Sequence, residues 1–178
     1  MAITTIPERV SQCRAYSENA RLNCTGELTL PEFNRISADV SGAGIAGVLN
    51  TPTRGNFESS TASFASRVVT DEFIKTFSPG LKTLEFRAVI QGINNLGESV
   101  EHNFSAFMRV MCKGVTLGTI NNAAEMGATA NFEVVDITIT IDGNVLVNIS
   151  KMNNIVEIVD SNGRLVDENQ NANSFLGV

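Results

Sequence analysis

The sequence predicts a mainly β protein, an antiparallel β-sandwich or barrel with one short helix. Three observations indicate this class: apolar and polar residues alternate along most segments, an Asp-Gly turn joins two β-branched stretches, and a single short stretch carries helix-capping signals. The 178 residues are enough for one real core and too few for two, so we expect a single domain over residues 1–178.

The chain opens with residues 1–10, which we expect to form a loose N-terminal arm. From Ser11 to Leu30, two short apolar arms flank a polar middle at Ser17-Glu-Asn19, which favours a hairpin. A helix over Glu8 to Asn19 is the alternative, because Pro7 could occupy its first turn. Its apolar stripe is thin, so we prefer the hairpin.

The segment 41–55 differs in kind from its neighbours. It follows an alternating strand, Phe33 to Val40, and contains four glycines, one proline and no acid, yet it also carries Ile45, Val48 and Leu49. A connection of this length is uncommon unless it is functional or disordered, and a solvated linker seldom holds so much aliphatic surface. We therefore expect this loop to become ordered against a partner.

The remaining elements follow in order. A strand with many small hydroxyl residues precedes the helix. Thr70 is predicted to cap the helix, Asp71 and Glu72 suit its positive N-terminal end, and Pro79-Gly80 terminates it. The predicted elements are the strand 56–67, the helix 70–77, the strands 81–93 and 101–113, the hairpin 131–151, the strand 152–159 and a polar C-terminal tail, 166–178.

The hairpin at Asp142-Gly143 allows two registers. A two-residue turn would pair Ile139 with Leu146, whereas a three-residue loop with Gly143 in the left-handed region pairs Ile139 with Val145 and places six β-branched residues on one face. Burying an aliphatic side chain contributes about 1.5–3 kcal/mol. We therefore predict the three-residue loop.

The search for chemistry predicts no enzyme, no cofactor and no metal site. His102 is the only histidine, so a metal site built from several histidines is not expected. It lies on the same face of its predicted strand as apolar residues, and we expect it to be a hydrogen-bonded residue at the strand end. Gly42, Gly44 and Gly47 match a bare G-x-G-x-x-G spacing, but no helix start follows, so dinucleotide binding is not expected. The three cysteines are predicted to be reduced thiols, and the net charge of −6 argues against general affinity for nucleic acid or membranes.

Several segments, taken in order, resemble a known family. They are Gly26 to Arg35 (GELTLPEFNR), the glycine-rich loop, Leu84 to Gly92 (LEFRAVIQG), Ile137 to Val147 (ITITIDGNVLV) and Met152 to Ile155 (MNNI). Together they are similar to the major tail tube protein of contractile-tailed phages and phage-tail-like bacteriocins. The resemblance covers roughly Ala15 to Leu165.

This resemblance implies a structural subunit that closes into hexameric rings, stacked as a hollow tube, with sheets continued across subunits. Its partners would be further copies of itself and the tail sheath, baseplate and tape measure proteins. DNA would be non-specific cargo, and the subunit would not bind membranes. The protein would be made in the bacterial cytoplasm and reside in a virion tail or bacteriocin particle. Contacts between subunits or rings are expected from the glycine-rich loop: Ser41, Gly42, Gly44, Ile45, Gly47, Val48, Leu49 and Pro52.

The same resemblance makes two polar sets candidates for the wall of the lumen: Arg35, Ser37 and Asp39 on one strand, and Ser59, Thr61 and Ser63 on another. An acidic subunit fits a channel in which DNA slides without sticking. Two alternatives stay open. One is the tube protein of a type VI secretion-like injection system, and the other, of a different class, is a monomeric β-barrel that binds a small molecule.

Overall fold

A computed structural model describes residues 6–18, 20–22 and 27–176. Within these ranges the chain forms one large antiparallel sheet, a separate two-stranded sheet and two short helices. The elements are β1 (Ile6–Ser17), β2 (Ala20–Leu22), β3 (Leu28–Thr29), β4 (Arg35–Val40), β5 (Leu49–Phe57), β6 (Thr61–Ser66), α1 (Asp71–Lys75), β7 (Leu81–Ile93), β8 (Ser99–Thr116), β9 (Ala128–Ile141), β10 (Asn144–Ser150), β11 (Ile155–Val159), β12 (Leu165–Asp167) and α2 (Gln170–Leu176).

Strand β9 is the junction of the large sheet, whose order is β12-β11-β10-β9-β8-β7-β1-β2. The first half of β9 also pairs with β6, and its second half pairs with β10. The change occurs at a bulge, where Val134 donates to Ser60 (2.8 Å) and Val135 accepts from Lys151 (3.0 Å), both through backbone atoms. A bulge bends its strand. Two strands, β6 and β10, therefore pair in succession with the same edge of β9, and the sheet wraps around the core.

The core lies on one face of this sheet. Alternate residues of β7 and β8 point into it as the patterning predicts, with Leu84, Ala106 and Met108 fully buried. Three aromatic rings close one end of the core: Phe64 of β6 stacks on Phe132 of β9 at 5.7 Å and meets Phe73 of α1 edge-on at 5.3 Å. Such offset and edge-on pairs add to the stabilisation from burial.

The predicted helix is confirmed as α1, although it is shorter than 70–77. Thr70 Oγ1 accepts a hydrogen bond from the backbone N–H of Phe73 (3.3 Å), and Asp71 and Glu72 occupy the first turn. A second helix, α2, lies in the segment that we predicted as a polar tail. Its seven residues carry no acidic residue in the first turn and no basic residue in the last, so the charges that helped to identify α1 are missing.

The predicted register of the β9–β10 hairpin is wrong. Asn144 pairs with Ile141, so the turn has two residues, and both Asp142 (φ 50°) and Gly143 (φ 82°) lie in the left-handed region. A bulge after Val145 then shifts the register, so that Val147 pairs with Ile139. The bulge allows both a two-residue turn and burial of the aliphatic face. The prediction compared two regular registers, and neither of them contains a bulge.

In the first half of the chain, one further expectation is confirmed and two are revised. The hairpin between residues 11 and 30 is confirmed by β1 and β2, and the alternative helix is wrong. Of the predicted loose arm, residues 1–5 lie outside the described residues, whereas Ile6 to Val10 pair with β7. The segment 41–55 is not loop throughout, because Leu49 to Gly55 belong to β5, in which Leu49 to Pro52 pair with β4.

The large sheet does not close into a barrel within the described residues. Its path ends at β12 on one side and β2 on the other, and these two strands are not paired with each other. The mainly β, antiparallel prediction is therefore confirmed, with the sandwich rather than the barrel as its form. Both end strands leave backbone groups available for pairing.

Replacing Phe132 with alanine removes one fully buried ring of the aromatic cluster, and we expect a loss of about 3–5 kcal/mol in the free energy of unfolding. Phe107, on the opposite face of the sheet and 44% exposed, offers a matched control. Phe107→Ala should cost less than about 1 kcal/mol. Urea unfolding followed by far-UV circular dichroism measures both; equal losses would contradict this placement of the core.

Candidate assembly surfaces

The β4–β5 hairpin stands apart from the large sheet. Its turn closes through backbone hydrogen bonds from Ile45 to Gly42 (3.1 Å) and from Gly47 to Ile45 (3.0 Å), and Gly44 and Gly47 have positive φ. All the contact residues expected from the sequence lie on this hairpin and are exposed: Ser41, Gly42, Gly44, Ile45, Gly47 and Val48 in the turn, and Leu49 and Pro52 on β5.

The hairpin exposes aliphatic side chains that its own subunit does not cover. Val48 is 70% exposed and Leu49 55% exposed, and the neighbouring Ile36, Val40 and Ile45 are each more than 40% exposed. Single exposed apolar residues are normal on a protein surface, but a contiguous group of them marks an interaction site. The arrangement can therefore bind another apolar surface.

An ion pair fixes the root of the hairpin. The Arg35 guanidinium donates two hydrogen bonds to the Glu168 carboxylate, each 2.6 Å long, and stacks over the Phe57 ring at 5.5 Å from its centroid. The hydrogen bonds from Arg35 hold the pKa of Glu168 below its usual range, despite partial burial. Arg35, which we expected to be a lumen candidate, is thus engaged with the corner between β12 and α2.

A close contact lies beside this ion pair. Gly55 has φ of 69°, and a β-carbon there would lie 1.8 Å from the Oδ1 atom of Asn169. The Asn169 side chain is held in turn by donating to the backbone oxygen of Asn154 (3.1 Å). Only glycine fits at position 55, so the root of the hairpin is fixed by backbone conformation as well as by charge.

A polar stripe runs along the outer side of β6. Ser59, Thr61 and Ser63 alternate with buried Ser60, Ala62 and Phe64, so the three expected lumen candidates on this segment share one outward face. The other candidates lie elsewhere: Ser37 and Asp39 are exposed on β4, where Asp39 accepts a hydrogen bond from Asn50 (2.7 Å). The structure therefore separates the six candidates into two groups rather than bringing them together.

One carboxylate organises the charges beside this stripe. Glu133 of β9 accepts hydrogen bonds from the Ser59 hydroxyl (2.6 Å) and from the ammonium groups of Lys113 (3.2 Å) and Lys151 (3.4 Å). Burial raises the pKa of Glu133, but the hydrogen bonds from Ser59 and Lys113 outweigh it and hold the pKa below the usual range. The sequence reasoning missed this cluster, because its members come from separate segments of the chain with no motif spacing.

His102 forms the hydrogen bond expected of a strand-end histidine. Its Nδ1 lies 2.6 Å from Asp142 Oδ2, and Asp142 Oδ1 accepts from the backbone N–H of Asn103 (2.8 Å). The hydrogen bond from His102 lowers the pKa of Asp142. The pair links the β9–β10 turn to β8, and this structural contact explains the position of His102.

The other chemical candidates are placed as follows. The three glycines of the G-x-G-x-x-G spacing lie in a turn between antiparallel strands, not between a strand and a helix. Cys13 and Cys112 are free thiols, and Cys24 lies outside the described residues. Across residues 6–18, 20–22 and 27–176, no group of three or more His, Cys, Asp or Glu side chains is arranged to hold a metal. None of the helices in those ranges is long and apolar enough to cross a membrane.

Acidification should loosen the hairpin root. The pKa of Glu168 is depressed in the folded state, so its stabilising pairing with Arg35 is complete above the ordinary value of 4.5 and is lost as the pH falls through the lower folded value. As the pH falls below 4.5, we expect deuterium exchange of the β4–β5 amides to accelerate more than that of the β8 amides, after correction for intrinsic rates. Glu168→Gln should show this faster exchange already at neutral pH; unchanged exchange in that variant would contradict the role of the pair.

Comparison with known proteins agrees with these features. A family model described as phage tail tube protein FII matches residues 7–168. The search of curated proteins found no match. The matched range contains the whole large sheet from Pro7 onward, the projecting hairpin and both partners of the ion pair at its root. The chain belongs to the phage tail tube protein FII family, and is a structural subunit of a phage tail.

Proposed function

We propose that the chain forms hexameric rings that stack into the tube of a contractile tail, around a lumen for the passage of DNA or ions. The observation that carries this proposal is the β4–β5 hairpin, whose apolar turn is left uncovered by its own subunit. Family membership supports self-assembly, and six copies per ring is the number that the resemblance implies. Sheath, baseplate and tape measure proteins would be the other partners in the particle.

Ring formation has a physical basis in the open sheet. Among the described residues, β2 and β12 end the main path of the sheet without pairing to each other, so each of them offers a strand edge. Pairing the edge of one copy with the opposite edge of the next is a heterologous contact, which closes into a ring when the rotation per subunit divides a full turn. Closure would also remove the open edges that otherwise favour uncontrolled aggregation.

The lumen wall is best supported for the stripe Ser59, Thr61 and Ser63. These hydroxyl groups lie on the outward face, and Glu133 pairs with both Lys113 and Lys151, which lowers their combined charge from +2 to a net +1. Cations that already have a carboxylate partner release few counterions from DNA, so they contribute little to binding. Ser37 and Asp39 remain candidates on the exposed hairpin, whereas Arg35 has its guanidinium occupied by Glu168.

Purified protein should assemble as its concentration rises, because the stacking of rings through heterologous contacts has no fixed end point. We expect hollow rods in negative-stain micrographs above a critical concentration, and small particles below it. The competing hypothesis, a monomeric ligand-binding barrel, predicts uniformly small particles at every concentration.

Charge in the hairpin turn should block assembly without unfolding the subunit. Val48→Asp or Ile45→Asp places a carboxylate on the apolar surface, where burial against another copy would be strongly unfavourable. We expect no rods at concentrations that polymerise the unmodified chain, and a melting temperature within about 2 °C, since both side chains are exposed. Val48→Leu, which preserves the apolar surface, should still assemble. Unfolding of the aspartate variants would show that the turn belongs to the subunit's own core.

The lumen assignment can be tested by access to thiol reagents. A cysteine at Thr61 should react with a small maleimide in subunits and rods alike, but with a maleimide on a 5-kDa polymer only in subunits, because the polymer would enter a narrow channel slowly. Labelling is counted above that of the unmodified chain, whose Cys13 is exposed. Equal polymer labelling in rods and subunits would place β6 on the outside of the tube.

A further inference from the structure

A second uncovered apolar surface lies around α1. We call it the helix-end patch; its side chains range from 44% exposed at Ile74 to 86% exposed at Ile120. They come from the segment before α1, from α1 and its following turn, and from the β8–β9 loop: Val68, Ile74, Phe77, Leu117 and Ile120. Five large apolar side chains on neighbouring segments indicate an interaction site rather than scattered exposure.

Hydrogen bonds bring these segments to one end of the sheet. The last residue of β6, Ser66, pairs with the first residue of β9, Ala128, and its hydroxyl donates to the backbone oxygen of Val68 (2.8 Å). The backbone of Arg67 accepts from Met126 (2.7 Å), which holds the β8–β9 loop beside the segment that enters α1. Phe73 anchors α1 itself on Phe64.

The hairpin root lies at the other end of β6. β3 runs antiparallel to β6 and pairs Thr29 with Ser63, so the chain leaves β3 in the direction of Thr61, away from Ser66. The backbone of Glu58, just before β6, donates to Asn34 just before β4 (2.9 Å). The two uncovered apolar surfaces of this subunit are therefore attached at opposite ends of one strand.

From this arrangement we infer that the helix-end patch of one copy is the docking site for the β4–β5 hairpin of another. Charge is compatible with the contact: segment 41–55 has no acid and one cation, the exposed Arg54. At the patch, Arg67 pairs with Glu125 and Lys75 with Asp71, whereas Glu72 joins neither pair. These five side chains carry a net charge of −1, which is opposite in sign to the single cation of the hairpin segment.

The occupant is a second copy of this chain because the two surfaces are of different kinds. Contact between two hairpins would be self-complementary and would stop at a pair, whereas hairpin against helix-end patch leaves one free surface of each kind after every addition. Only the second arrangement extends without limit. The inference deepens the proposed tube, on which it rests, by naming the surface that receives the hairpin.

The test uses two variants, each lacking one surface. Ile120→Asp disables the helix-end patch and leaves the hairpin intact, and Val48→Asp does the reverse. Alone, each should raise the critical concentration for rod formation at least about tenfold, equivalent to a loss of about 1.4 kcal/mol per contact. Mixed in equal amounts, they should form one contact between them and stop, giving particles of twice the mass of either alone in analytical ultracentrifugation.

Two controls make the result specific. Asn122→Asp places the same charge in the same exposed loop without removing apolar surface, and should assemble within about twofold of the unmodified chain. Ile120→Leu should also assemble, and circular dichroism melting confirms that every variant is folded. Rod formation by Ile120→Asp at the unmodified critical concentration, or a mixture of the two folded variants without complexes of doubled mass, would overturn the inference. Failure of the unmodified chain to form rods would instead count against the proposed tube.

Discussion

The fold depends on strand β9, which pairs with three strands although a regular strand pairs with only two. β8 pairs along nearly all of it, while β6 and β10 share its other edge in succession. The bulge at Val134 and Val135 makes the exchange possible, and both side chains are buried there. Because β6 leads to the projecting hairpin on one side and to α1 on the other, this junction sets where both exposed apolar surfaces are attached.

Much of the fold could be predicted because alternation is a local signal. The strand 81–93 has the predicted bounds, and the inward faces of β7 and β8 are as expected. Helix α1 has the N-cap that the sequence predicts. The failures come from features that need a partner strand to be seen. The Asp142-Gly143 turn is followed by a bulge that no local pattern indicates, and α2 lacks charges at its ends.

The same distinction separates the predicted and missed parts of the candidate surfaces. Glycine content and aliphatic residues drew attention to the segment 41–55, since both are visible in the sequence itself. The pairing of Arg35 with Glu168 spans 133 positions, and Glu133 pairs with Lys113 of β8 and with Lys151, which follows β10. Long-range ion pairs of this kind follow from topology, and they become visible only when the strands have been placed.

The root and the turn of the hairpin tolerate substitutions to different extents, because Gly55 packs against Asn169 at the root. At the root, the side chain of Asn169 fills the space that any β-carbon would need, so substitution there would displace the hairpin from its support. At the turn, Gly42, Gly44 and Gly47 have no atom within 4 Å of an added β-carbon. The turn can therefore accumulate changes in length and side chains, within the limits of its backbone angles, without altering the platform that carries it.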